Sequence, residues 1–183
     1  QLNIHDLSIR ELDDLNSPRL DVWGVSDHDL FKESHQIFEN LNTGKPFFAI
    51  IQTATNHRPY SIPKNIDGFQ IENLSKEQVN IAGFNSVDQY NAMRLLDHAL
   101  GEYFSYVKNS NYYDNTIFFL FGDHGTSDPW AEHMPLTDYE LMLRSYHVPL
   151  IVYGNRLKEK GVIRDNVSML PDLMPTIAGF AGI

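Results

Sequence analysis

TIFFLFGDHG, residues 116–125, is the stretch whose reading decides how this chain folds. Thr116 is followed by five apolar side chains, Ile117, Phe118, Phe119, Leu120 and Phe121, a run of strand length with no polar alternation. A strand that reads this way needs cover on both faces, the condition of the buried strands of α/β sheets. Gly122 and Gly125 then bracket Asp123 and His124, so a carboxylate and an imidazole leave the strand together at its carboxyl end. An isolated Asp-His pair is ordinarily a turn with a hydrogen-bonded histidine. Its position beyond a buried strand alters that reading, because open α/β sheets bind their ligands there. A hard carboxylate oxygen and a borderline imidazole nitrogen suit a divalent metal, manganese or zinc first and magnesium or calcium as alternatives. The flanking glycines allow the backbone to turn closely around an ion.

Working outward, residues 148–153 and 46–55 repeat the strand pattern, the latter through Phe47, Phe48, Ala49, Ile50 and Ile51. Helices fall between them. Ser26 is placed to cap one whose apolar positions Leu30, Phe31, Ile37, Phe38 and Leu41 share a face, with Gly44 as its stop. A second starts at Ser86 and runs to about Asn109, with Met93, Leu96, Leu100, Phe104 and Val107 at helical spacing. A helical turn is expected at 139–144, and a final helix over 168–180 that tolerates Pro171 in its first turn but is complicated by Pro175. Residues 2–23 show no sustained period beyond a possible turn at 9–15. The fold class expected is α/β, a largely parallel sheet flanked by helices, with ligand-binding loops beginning at Asn56, Gly122 and Gly154.

Composition narrows the function classes. The chain has 183 residues, enough for one good core and read here as one unit, with 42% hydrophobic and 21% charged side chains. Its 24 acidic against 14 basic residues give a formal charge of -10, which argues against a nucleic-acid footprint. No cysteine is present, so disulfides and thiolate metal sites are excluded. The apolar runs are strand-sized, far below the roughly 20 residues of a membrane span. The opening segment shows no basic region followed by an apolar one, so no signal peptide is expected in it. The 11 Phe and 9 Tyr are expected to fill the core rather than bind a cofactor.

The order of the motifs adds to this. TIFFLFGDHG, then YHVPLIVYG at 146–154, then DLMPTIAGFAGI at 172–183, resembles the sulfatase-like branch of the alkaline phosphatase superfamily. More closely, the chain is similar to the lipoteichoic acid synthase and phosphoglycerol transferase group. That group also has a strand ending in Thr-Asn-His-x-Pro-[Tyr/Phe], here Thr55-Asn56-His57-Arg58-Pro59-Tyr60, and the stretch Trp23-Gly24-Val25-Ser26-Asp27 with Leu30-Phe31 suits it too. The resemblance implies an alkaline phosphatase-like fold, with Asp123 and His124 binding the catalytic metal and His57 hydrogen-bonding the phosphate or the leaving oxygen. It implies a phosphate- or sulfate-ester substrate, lipid-linked phosphoglycerol among the candidates. It further implies work on the extracytoplasmic face of a bacterial membrane, tethered through an amino-terminal segment outside this chain.

Family members use a threonine nucleophile at a helix start, or a formylglycine made within Cys/Ser-x-Pro-x-Arg. Ser61-Ile62-Pro63-Lys64-Asn65 comes nearest here, but Asn65 stands where arginine belongs. The metal-binding Asp or Glu of an amino-terminal strand is also missing. The expectation is therefore that residues 1–183 are the carboxy-terminal part of one catalytic domain, inactive alone, with nucleophile and remaining ligand upstream. A true sulfatase and a non-catalytic binding domain of the same fold are the rival readings. Among the other histidines, His133 stands on the loop after His124 and could approach a second metal. His147 precedes its strand and is expected to be structural, as are His5, His28, His35 and His98.

Overall fold

The structure, a computed structural model, describes residues 8–11, 14–41, 44–126 and 134–183. The chain divides into two compact units, Gln1–Tyr113 with Asp128–Leu136, and Asp114–Ser127 with Thr137–Ile183.

The first unit is built on two helices that both start where serine caps were expected. In α1 (Asp27–Glu39) the Ser26 hydroxyl accepts from the Asp29 backbone N–H at 3.1 Å, and in α3 (Val87–Val107) Ser86 accepts from Gln89 N at 3.1 Å. α1 ends at Asn40, ahead of the expected stop at Gly44, because the Asn40 amide turns back onto the Gln36 carbonyl at 2.7 Å. Phe31 meets Tyr103 with ring centroids 5.2 Å apart, and His28 Nε2 lies 2.7 Å from Glu102 Oε2, so α1 packs along α3. Ala92, Leu95, Ala99 and Val107 fill the seam and are fully buried. Burial of a side chain such as Leu95 contributes roughly 1.5–3 kcal/mol. A short helix between them, α2 (Lys76–Ile81), buries Val79 and opens on a reciprocal capping box of Ser75 and Gln78.

Residues 46–55 were expected to be a strand; among the described residues they join no ladder, and Thr55 stands in a turn. Phe48 and Ile50 stay 59% and 77% exposed, while Phe47 rests on Phe38 and Tyr112. An apolar run states that a segment needs cover; it becomes a strand only when a neighbour takes its backbone hydrogen bonds. What secures the end of this segment is a buried carboxylate. Asp27 Oδ1 accepts from Ala54 N at 2.8 Å, and both its oxygens accept from Thr55 N at 3.2 Å. The loop that follows is strapped to α3 rather than free: Asp67 O meets His98 Nε2 at 3.0 Å, Gln70 O accepts from Arg94 at 2.9 Å, and Glu72 exchanges two hydrogen bonds with buried Asn91.

Two buried acids of this unit give opposite pH dependences. Burial pushes the Asp27 pKa above its ordinary 3.8, the hydrogen bonds from Ala54 and Thr55 only partly offsetting it. The folded state therefore holds this proton more tightly than the unfolded one, and Asp27's contribution to stability is complete below pH 3.8 and is lost as pH rises through the raised value. For Glu33, burial pushes the same way, but hydrogen bonds from Ser17 and Asn16 outweigh it and hold the pKa below 4.5. Its contribution is present above 4.5 and lost on acidification through the depressed value. The expected result for Asp27→Asn, read by calorimetry against pH, is a wild-type-minus-variant difference in Tm that declines as pH rises from 3.8. A difference curve flat across that window would contradict the assignment.

In the second unit β1 (Phe118–Phe121) pairs with β2 (Leu150–Tyr153), Phe118 opposite Tyr153 and Phe121 opposite Leu150. The α/β class stands, but this pairing is antiparallel, where parallel neighbours were expected. Continuous apolarity reports that both faces want cover and carries no information on direction. A parallel partner would need a crossover back to the starting edge. The connection instead holds two short helices, α4 (Leu136–Glu140) and α5 (Leu143–Tyr146), and re-enters beside the end it left. The terminal helix α6 (Leu173–Ala181) follows a 3-10 turn at Leu170–Asp172. Pro175 is its third residue, inside the first turn, where no N–H acceptor is needed, so it interrupts nothing. Phe180 packs on Phe119 with centroids 5.8 Å apart. Among the described residues no helix is long and apolar enough to cross a membrane.

Candidate active site

Asp123 and His124 leave β1 on a loop whose path is set by backbone contacts. Gly125 N donates to Ser145 O at 2.9 Å and Thr126 N to Arg144 O at 3.2 Å, tying the loop to α5. Asp123 Oδ1 accepts from His124 N at 2.9 Å, which leaves Oδ2 free of that bond. His124 Nδ1 lies 2.7 Å from Gly125 O. A carbonyl can only accept, so Nδ1 carries the proton and the lone pair of the neutral ring sits on Nε2. That nitrogen and Asp123 Oδ2 face each other at 3.8 Å, on side chains 70% and 75% exposed.

The arrangement has the chemistry of two metal ligands. Donors on one ion with bonds of about 2.1 Å lie about 3.0–3.4 Å apart, so a small side-chain rotation brings this pair to ligand spacing. A ring whose second nitrogen is tied to a carbonyl is the ordinary form of a metal-binding histidine. Among the described residues no group of three or more His, Cys, Asp or Glu could hold a metal ion.

His57 belongs to the first unit. Its turn is closed by His57 N donating to Ala54 O and Tyr60 N to His57 O, both at 2.9 Å. Its Nδ1 lies 3.1 Å from Arg58 O, so the proton again sits on Nδ1 and Nε2 is left open, on an exposed ring. In the neutral ring Nε2 accepts or ligates; it donates to an anionic oxygen only when the ring is imidazolium. Trp23 covers one face, with centroids 3.9 Å apart and planes at 45°, and its Nε1–H donates to the same Arg58 carbonyl at 2.7 Å.

Sequence reasoning placed Trp23 and Asp27 within a family-like stretch but gave neither a task. The Trp-Gly-x-Ser-Asp spacing, with one residue ahead of the helix cap and one in its first turn, was the available signal. The remaining histidines mostly have structural partners. His28 and His98 flank Glu102 at 2.7 and 3.9 Å, and His35 meets the Tyr112 hydroxyl at 2.9 Å. His147 ends α5, its N–H bonded to Leu143 O at 2.7 Å. His133 and His5 lie outside the described residues.

Residues 5–183 match the sulfatase family, and the chain belongs to it. Its similarity is to lipoteichoic acid synthases in particular. It is 31% identical to lipoteichoic acid synthase 1 of Bacillus subtilis over 178 residues, 93% of this chain and 26% of that protein. It is 29% identical to the lipoteichoic acid synthase of Staphylococcus aureus over 184 residues, 98% of this chain and 26% of that protein. An alkaline phosphatase superfamily protein of Vibrio parahaemolyticus superposes with a TM-score of 0.67 at 28% identity, over 94% of this chain and 38% of that one. The lipoteichoic acid synthase LtaP of Listeria monocytogenes superposes with a TM-score of 0.71 at 22% identity, over 93% of this chain and 42% of that one, a likeness of fold. The fold is thus that of the alkaline phosphatase superfamily, and the chain spans about a quarter of the length of the curated relatives it matches.

Proposed function

We propose that residues 1–183 are the carboxy-terminal part of one catalytic domain that transfers or hydrolyses phosphate esters with a divalent metal. The observation that carries the reading is the facing of Asp123 Oδ2 and His124 Nε2, each with its other polar atom tied to the backbone. Exposed apolar side chains on an unpaired segment, Phe48 and Ile50, support the view that the domain has more to it than this chain.

In this reading Asp123 and His124 hold the metal, manganese or zinc before magnesium or calcium, together with ligands from elsewhere in the domain. A divalent ion there would polarise phosphoryl oxygens and favour the ionised form of a bound hydroxyl. His57, as imidazolium, donates through Nε2 to the phosphate or to the charge developing on the oxygen that leaves. Similarity to lipoteichoic acid synthases supports lipid-linked phosphoglycerol as the substrate and, by resemblance, work on the extracytoplasmic face of a bacterial membrane. The family's name keeps sulfate esters as the second reading.

The test uses the protein at its natural length, stripped of metal and assayed on phosphatidylglycerol vesicles and on an aryl sulfate. Glycerol phosphate release or transfer is expected only after manganese or zinc is restored, with a loss of at least about 100-fold in chelator. Turnover of the sulfate alone would replace the phosphate reading with the sulfatase one. Undiminished turnover in chelator would overturn the metal.

A further inference from the structure

Trp23 is held in place before it reaches His57. Its backbone N–H donates to Asp21 Oδ1 at 2.8 Å, and Leu20 N donates to Gly24 O at 2.6 Å, closing a tight turn in which Gly24 takes a φ of 134°. Arg19 adds two bonds into the same turn, Nε to Asp21 O at 2.7 Å and Nη2 to Val22 O at 3.1 Å. Four residues on, Asp27 grips Ala54 and Thr55. The segment entering α1 thus holds the His57 loop at two places, its backbone through Asp27 and its ring through Trp23.

The indole is 47% exposed, so its placement serves no deep core. It does two things to His57. It occupies one face of the ring at 3.9 Å, and it donates to the carbonyl that also receives His57 Nδ1–H. Arg58 O is thereby fixed in space by one donor while it orients the other. An exposed histidine without such a partner samples several rotamers, and its tautomer follows whichever bond the other nitrogen finds.

We propose that Trp23 is a positioning residue for His57: the indole and the shared Arg58 carbonyl hold the imidazole in one orientation, with Nδ1–H on that carbonyl, so that Nε2 points at the ester and, in the imidazolium form, donates to its anionic oxygen. The inference rests on the reading of His57 as the ester-facing imidazole. Trp23 touches no substrate in this assignment and acts only through His57. Loss of the indole leaves the ring present but misdirected, a defect of the step in which charge develops rather than of ground-state binding.

The test is a double-mutant cycle in the natural-length protein, following turnover of phosphatidylglycerol vesicles. Trp23→Leu is expected to lower kcat about tenfold with KM changed less than about twofold. In a His57→Gln background the same substitution is expected to change kcat less than about twofold, since the group through which it acts is gone. Trp23→Phe, which keeps a ring face but loses the N–H to Arg58 O, should fall between and carries the cycle if the leucine variant does not fold. An equal loss from Trp23 substitution in both backgrounds, or no loss in either, would overturn the proposal.

A second measurement separates it from the reading beneath it. Ring nitrogen-15 shifts of His57 should report Nδ1–H in the wild type and a mixture of tautomers in the Trp23 variants; unchanged shifts overturn the positioning role even if His57→Gln leaves no turnover to measure. Full activity in His57→Gln, with the shifts changed as expected, would instead remove the ester-facing role of His57.

Discussion

Asp123→Asn and His124→Ala are each expected to strip the natural-length protein of its divalent metal and to lower turnover on the order of 1,000-fold, without lowering its Tm. The magnitude follows from the several kcal/mol a metal supplies to a phosphoryl transition state, at a factor of ten per 1.36 kcal/mol. The two substitutions fail for different reasons. In Asp123→Asn the amide oxygen can still accept from His124 N, so the loop keeps its shape. The new NH2 then stands where Oδ2 faced Nε2 across 3.8 Å, and it can donate to that lone pair. The variant loses a charge and also occupies the histidine's ligand atom. In His124→Ala the ligand atom is removed outright, and the Gly125 carbonyl it leaves is satisfied by water on an exposed loop. Metal content by elemental analysis, set beside Tm and turnover, reads all three consequences. His147→Ala, an exposed histidine at the end of α5, should keep wild-type metal. Unchanged metal in both Asp123→Asn and His124→Ala would sink the assignment.

What the sequence disclosed follows the range of the interactions involved. α1 and α3 were legible because their caps and apolar stripes are local, and Ser26 and Ser86 cap where they were expected to. β1 was legible to within two residues from its apolar run alone. The Ser75-x-x-Gln78 capping box before α2 is equally local, a signal carried within four residues. Strand direction was not legible, because it depends on where the chain re-enters after α5. The segment at 46–55 shows the same limit, its apolarity announcing cover that must come from elsewhere. For the site, Asp123, His124 and His57 were recognisable by type and neighbourhood. Their protonation was not, since it is set by which carbonyl each Nδ1 meets. The supports of His57 were least legible, because Asp27 reaches across 27 and 28 residues and the indole of Trp23 across 35.

At Gly125 the structure adds a constraint that local spacing does not carry. The flanking glycines were expected to let the backbone turn closely around an ion; Gly125 also lets the loop lie against the backbone of α5. A Cβ there would overlap the Arg144 carbonyl oxygen and lie 2.9 Å from the Arg144 carbonyl carbon. Both are backbone atoms, which cannot swing aside as a flexible side chain would. Gly125 is not among the glycines with positive φ, so the obstacle is space and not backbone conformation. Gly125→Ala must therefore part the loop from α5, breaking Gly125 N to Ser145 O and Thr126 N to Arg144 O together. The Gly125 carbonyl that orients His124 moves with it, and Nε2 turns away from Asp123 Oδ2. The expected result is a Kd for manganese raised about 100-fold, the upper range for loss of a ligand's orienting partner, with a stability loss of about 2–4 kcal/mol. Gly122→Ala is the comparison. Its Cβ would meet Val148 Cβ and Cγ1 at 3.0 Å, where a shift of a few tenths of an ångström makes room, so the cost should stay at about 1–2 kcal/mol, below that at Gly125, with metal binding retained. Metal titration and denaturant unfolding of the two variants test the order. Equal, mild effects at both positions would mean that the loop does not lie against α5 as described, and the orientation of His124 would lose its support.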